Sequence, residues 1–324
     1  MTYKNNNLGS GDLIMSLTSM LKGKNEKEVQ LQEILKKVAP TKDMFKTASG
    51  KKAFSNEYEV ITPNILETTY QSAVVGNAFD YLMRFEVAKN VNCNKQEVLE
   101  KIVAEYGLKI LERFADKKTY AVLTDKYGDT IKTISSYVLG NTSNEKDLIL
   151  ASCYLARLDS IYRSGMPPMD IKASLIDDEA QCVVKDLEML FDIFKDDFIR
   201  SGILKSNSDV VFNPTFGPLM SMFVGGADAD IFIDGILYDI KTTKNNGFKW
   251  QDSAQLIGYY LLNELARDLE DIQAPLTHRE IYRIAFYKPR FSEIEYIDIN
   301  DIDLAVLKQA ITELKDMTTL TYMS

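Results

Sequence analysis

The chain has 324 residues, 45% of them hydrophobic and 26% charged, with a formal net charge of -9. That length suits one large domain or two small ones with a sizeable core, and the charge excludes a positive field over the whole surface that would draw in nucleic acid. With one histidine, His278, and three scattered cysteines, Cys93, Cys153 and Cys182, a histidine-rich zinc site, a histidine-based triad and a disulfide framework are poorly supported; reduced thiols are the expectation.

The first eleven residues are Asn/Gly/Ser-rich and read as loose, with no basic start leading into an apolar run. No window approaches the ~18 apolar residues of a membrane span, so no membrane and a cytoplasmic location are expected. "DLIMSLTSMLKG" predicts a helix capped by Asp12 and ending near Gly23, and "NEKEVQLQEILKKVAP" a second, stopped by Pro40. "ITPNILETTYQSAVVGNAFDYLMRFEVAKN" predicts one or two buried helices broken near Gly76.

Residues 94–200 follow a helical period almost throughout, as in "KQEVLEKIVAEYGLKILERFA", "EKDLILASCYLARLDSIYRSG" and "DDEAQCVVKDLEMLFDIFKDDFIRSG", with a break at "GMPPMD". Tyr154, Arg157 and Asp159 either form a polar seam or belong to an ordinary amphipathic helix, the better reading. After Gly202 the texture changes. "DVVFNPTFG" reads as extended and "ADIFIDGILYDIKTT" as a hairpin turning at Asp234 and Gly235. "SAQLIGYYLLNELARDL" predicts a helix, "IYRIAFYKPRFSEIEYIDI" two strands and "DIDLAVLKQAITELKDM" a closing helix. The C-terminal part is therefore a small mixed sheet carrying helices, an α+β arrangement.

The hairpin is the chemically informative stretch. With Asp234 and Gly235 as the turn, Ile233 faces Ile236, Phe232 faces Leu237 and Ile231 faces Tyr238. Continued outward, the register sets Asp230 opposite Asp239 and Asp228 opposite Lys241, all on one face. Opposed carboxylates repel unless something positive lies between them. Magnesium or manganese suits such hard oxygen donors, and a neighbouring lysine can orient water or stabilise phosphoryl charge. The alternative is an exposed hairpin whose acids are solvated.

The run from Asp230 through eight residues to Asp239-Ile240-Lys241 resembles the signature of the PD-(D/E)xK nuclease superfamily. "QLIGYY" adds Gln255 and Tyr259, which share a helix face and look like the Q-x-x-x-Y motif of the RecB-like exonuclease branch. "VGNAFDYLMRFE" resembles that branch's N-terminal motif helix. A histidine often sits there four residues after a glycine; here Asp80 follows Gly76, with Glu86 a weaker alternative. The resemblance covers residues 70–90 and 205–300. It implies a restriction-endonuclease-like mixed sheet flanked by helices, with residues 1–69 as an N-terminal helical segment, 70–93 as the motif helix, 94–200 as a helical insertion and 201–324 as the rest of the core. It further implies magnesium or manganese on Asp230, Asp239 and Asp80, with Asp228 replacing or assisting Asp230. Lys241 acts on water, and Gln255 and Tyr259 support the site. The implied substrate is DNA rather than RNA, in bacterial or phage DNA processing or defence, with a protein partner in such a complex.

Two readings compete with it: the same fold as an inactive module holding nucleic acid or a protein, which the acidic total charge favours, and a scaffold whose working surface is residues 94–200. Arg283, Lys288 and Arg290, with Lys244 and Lys249, either track a phosphate backbone or form a charged strand edge; the edge is the stronger reading for each singly. Trp250 reads as a packing anchor rather than a base-stacking wedge, His278 as a loop residue, and "GGADAD" lacks a phosphate-loop pattern.

Overall fold

A computed structural model describes residues 16–92 and 95–323. The expectations for residues 1–11, the Asp12 cap and Cys93 lie outside them. The first described helix is α1 (Leu17–Met20), capped by Ser16, whose side chain accepts from Ser19 N–H. In α2 (Glu26–Val38), Asn25 and Glu28 form a reciprocal capping box, acids fill the first turn and Lys36 and Lys37 the last. Strand β1 is short (Lys46–Thr47). Helix α3 (Thr69–Asn90) is capped by Thr68 and Gln71 and runs unbroken through Gly76, against the expected break; one glycine costs a helix only ~1 kcal/mol, and α3 buries apolar side chains along its length.

The helical stretch resolves into α4 (Lys95–Glu100), α5 (Ala104–Leu111), α6 (Lys117–Val138), α7 (Glu145–Ser164), α8 (Ile171–Leu175) and α9 (Gln181–Phe194), the last followed by a π-helical turn at Lys195–Arg200. Gly165 ends α7 in the left-handed region at φ 66°, at the start of the expected break. Strand β2 keeps only Val210–Phe212 of the expected extended run. It is followed by α10 (Gly217–Val224), which the sequence reading missed despite Pro in its first turn. The hairpin is β3 (Ile231–Ile233) and β4 (Ile236–Ile240). Asp234 and Gly235 have φ of 46° and 87°, as a two-residue turn with both centres left-handed requires. Helix α11 (Trp250–Asp268), β5 (Arg283–Lys288), β6 (Glu293–Asp298) and α12 (Leu304–Met323) complete the chain.

The fold is mixed α/β. The strands form one open sheet in the order β1-β6-β5-β4-β3-β2. Only β4 and β5 are parallel, with α11 as their crossover. Alternation along the strands splits the core in two. Phe232, Leu237, Ile284, Phe286 and Ile297 pack with α1, α2, α10, α11 and α12. Ile231, Ile233, Tyr238, Ala285 and Tyr287 pack with α3, α5, α6, α7 and α9. Helices α5, α6, α7 and α9 thus share one face of the sheet with α3, and the hairpin lies inside the sheet, between β2 and β5. Among the described residues no helix is long and apolar enough to cross a membrane.

The helical layer is tightly joined at one point. A Cβ on Gly107 of α5 would lie 1.9 Å from the Leu158 carbonyl oxygen of α7. Gly107→Ala must push the two helices apart and is expected to cost about 1–3 kcal/mol, read as a lower midpoint in chemical denaturation. An unchanged midpoint would refute this close approach.

Candidate active site

The hairpin register agrees with the sequence as far as Ile231 opposite Tyr238, and there the ladder stops. Continued, the pattern would have the Ile240 N–H bond to the Ala229 carbonyl. Instead it donates to the Asp230 carboxylate. The chain before β3 turns toward the end of β2: Ala229 N–H donates to Pro214 O, Asn213 N–H to Asp230 O, and Asp228 pairs with Thr215. Beyond β4, Lys241 N–H donates to Tyr287 O of β5. The two strands therefore splay, and the expected pairing of Asp228 with Lys241 does not form.

The splay opens a polar cleft of about 330 Å³ lined by Asp80, Asp159, Asp228, Asp230, Asp239, Gln255 and Tyr259, among others. Three expected acids thus converge from distant elements: Asp239 from β4, Asp230 from the entry to β3, and Asp80 from α3. Gly76 of α3 faces Thr242, where a Cβ would make ordinary contact with Oγ1 at 3.4 Å, and Asp80 sits one turn further on. Asp228 is exposed at the rim, Asp230 and Asp80 are half-buried, and Asp239 is buried. A merely solvated hairpin is excluded by that burial.

Crowding and desolvation set the electrostatics. Burial, then Asp239 and Asp80, push the Asp230 carboxyl well above the usual carboxylate range. Burial also raises Asp239, against the pull of Lys241, and Asp80, against the pull of Arg84. The Lys241 Nζ lies 2.6 Å from Asp239 Oδ2 and 4.0 Å from Asp252 Oδ1. Burial opposes its charge, yet Asp239 and Asp252 hold its pKa above the ordinary lysine value. Lys241 is not in the wall of the acid cleft. It lines a small cavity behind Asp239, with Phe54, Lys249 and Phe286, and reaches the cluster through Asp239.

Gln255 and Tyr259 behave as their spacing implies: the amide Nε2 donates to the Tyr259 hydroxyl. Tyr259 stacks on Phe216 with centroids 5.5 Å apart. Burial and the nearby Asp239 and Asp228 push its phenol well above its ordinary pKa. Glu86 is elsewhere, accepting from the Tyr137 hydroxyl at 2.6 Å and from Asn90, and drops out as a site residue.

The cleft also holds Arg163 and Asn213, which the sequence did not single out, and Asp159, which it assigned to an ordinary amphipathic helix. Asp159 and Arg163 form an i,i+4 pair on α7, with Nε 3.1 Å from Oδ1; sequence alone does not separate them from a surface pair, although Asp159 is 4% exposed. Asn213 stands at φ 39° with its Oδ1 buried and unpartnered; its place before Pro214 was the only local signal. The remaining companions of Asp159 in the expected seam are structural: Tyr154 donates to Leu123 O, and Arg157 bonds Glu179.

The basic strand residues are committed to the fold. Arg290 forms a buried bidentate pair with Asp186, Lys288 lies 2.6 Å from buried Glu295, and Arg283 pairs with Asp298 at 2.7 Å. Lys244 and Lys249 remain exposed. Trp250 packs at the start of α11 under Lys36, an anchor as expected.

As donors, Asp80, Asp230 and Asp239 suit a hard divalent cation in kind. Asp80 Oδ1 is buried without a hydrogen-bond partner, as an oxygen kept for a ligand would be. Among the described residues, however, no three carboxylate, histidine or cysteine side chains are gathered around one point as a metal-ligand set. No protein-family model, curated protein or solved structure matches the chain.

Proposed function

We propose that this chain is a metal-dependent nuclease with a restriction-endonuclease-like core, hydrolysing phosphodiester bonds of DNA in bacterial or phage DNA processing or defence. The observation that carries the reading is the convergence of Asp230, Asp239 and Asp80 on one cleft, with the Gln255–Tyr259 pair in its wall and the Lys241 ammonium on Asp239. Asp230, Asp239 and Asp80 would hold magnesium or manganese, with Asp228 assisting at the rim. The ion supplies a polarised water and neutralises charge on the phosphoryl oxygens. Asp230, whose carboxyl is raised by burial, Asp239 and Asp80, would hold the ion as the carboxylate, so binding there would compete with its proton; Asp239 is already paired with Lys241. Lys241, held cationic by Asp239 and Asp252 and set outside the cleft wall, acts through Asp239, whose carboxylate it holds in place, rather than as a base. Gln255 fixes the Tyr259 hydroxyl beside the acids.

Linear, circular and single-stranded DNA incubated with and without manganese test the reading. Degradation only with the cation is expected; intact DNA under all conditions, with magnesium as well, overturns it. Metal should also stabilise the fold by mass action, about 2.7 kcal/mol at a hundredfold excess over Kd, raising Tm in wild type. An equal shift in Asp239→Asn would place the metal elsewhere.

A second reading is an inactive module of the same fold that binds nucleic acid or a protein partner. It is favoured by the Lys241 ion pair, which already neutralises Asp239, and by the absence of a gathered ligand set among the described residues. Metal-independent DNA binding without cleavage would select it.

A further inference from the structure

The acid cleft continues into a second lobe of about 350 Å³. The two lobes share Asp80, Asp159, Arg163, Asn213 and Asp228. The second lobe adds Arg84 from α3, Lys101 from the turn between α4 and α5, and Tyr162 beside Arg163 on α7. We propose that this wall is a phosphate-binding subsite, which holds the backbone of a single DNA strand next to the scissile phosphate. The proposal takes the position of the scissile bond from the nuclease reading.

Each of the three cations is held in place and keeps a donor in reserve. Arg84 is 3% exposed; its Nη2 donates to Asp80 Oδ2 at 2.7 Å, while its Nη1 is buried without a partner. Arg163 is tied through Nε to Asp159 at 3.1 Å, which leaves both Nη groups free among the described residues. Lys101 donates to Phe212 O and lies 3.3 Å from Glu97, and an ammonium carries three N–H donors. Carboxylates that fix a guanidinium from behind orient its remaining N–H groups, the arrangement that suits phosphate oxygens. The alternatives are largely spent: Arg283, Lys288 and Arg290 are locked in ion pairs. In a chain of net charge -9, backbone contacts have to come from such a local set. The lobe is also of ligand-binding size. This gives the helical region a task, since Lys101 and Arg163 both belong to it.

The test is binding of fluorescent oligothymidylate and oligoadenylate across a salt series, in calcium and again in EDTA, by wild type, Arg163→Ala, Lys101→Ala and Lys146→Ala. Lys146 is exposed and lies outside both lobes. Arg163→Ala and Lys101→Ala should each weaken binding about 10-fold, equally for both sequences, and reduce the salt slope by about 1. Lys146→Ala should match wild type. Wild-type affinity in both wall variants overturns the subsite, as does failure of wild type to bind either oligonucleotide. Cleavage by wild type in manganese is scored separately. Wall-dependent binding without cleavage keeps the subsite and removes the nuclease reading; cleavage with unchanged wall variants does the reverse.

Discussion

Lys241→Ala is expected to lower DNA cleavage by up to ~100-fold, the scale for losing a partner that holds a metal-binding carboxylate in place. The structure adds a condition to that result. Lys241 is the neutralising partner of Asp239, 2.6 Å away and mostly out of solvent. Without it, Asp239 is left buried and unpaired, so the cation-free variant should melt below wild type. Manganese should restore much of the difference, because the oxygen ligands remain. Activity measured in saturating manganese therefore separates a lost chemical role from a lost fold. Lys241→Arg should not recover full activity, since a planar guanidinium cannot occupy the same point between Asp239 and Asp252. Near-wild-type cleavage by Lys241→Ala in saturating manganese would make the lysine purely structural.

Asp230→Asn should have the larger effect on chemistry, about 1,000-fold, and the opposite effect on cation-free stability. The folded pKa of Asp230 is raised by burial, Asp239 and Asp80 above the ~3.9 of an unfolded aspartate. The folded state thus holds the proton more tightly. Its contribution to stability is fully present below the unfolded pKa and is lost as pH rises through the folded pKa. Wild type without metal should accordingly lose stability as pH climbs from about 4 toward neutrality, and the asparagine variant should lack that component. Its amide oxygen can still accept the Ile240 N–H. In EDTA at pH 8 Asp230→Asn should melt above wild type, the gap closing toward pH 4. In manganese the order should reverse, because the variant has lost a ligand. Equal melting in EDTA at both pH values would show that Asp230 carries no strained charge, and cleavage near wild type would exclude it from the site.

Much of the fold is written locally. The Asn25 and Thr68 caps, the helical period through residues 94–200, and the turn at Asp234 and Gly235 each act within a few residues, so their spacing suffices to place elements. The same local rules put Asp239 and Lys241 on one face, with Gln255 one turn from Tyr259. Three things needed the tertiary structure. Where the hairpin ladder ends was one: β2 captures the chain at Asn213 and Thr215, so Asp228 leaves Lys241 and Asp230 closes the ladder with its side chain. The approach of α3 was another, since Asp80 and Asp230 are 150 positions apart in sequence and meet only because α3 packs on one face of the sheet. The third was the fate of the charges. Arg290 finds Asp186 across 104 residues, whereas Lys101 and Arg163 face the cleft with donors to spare. Composition fixes how many charges a chain carries; which of them neutralise one another is decided by contacts between distant elements, where burial makes an unpaired charge costly.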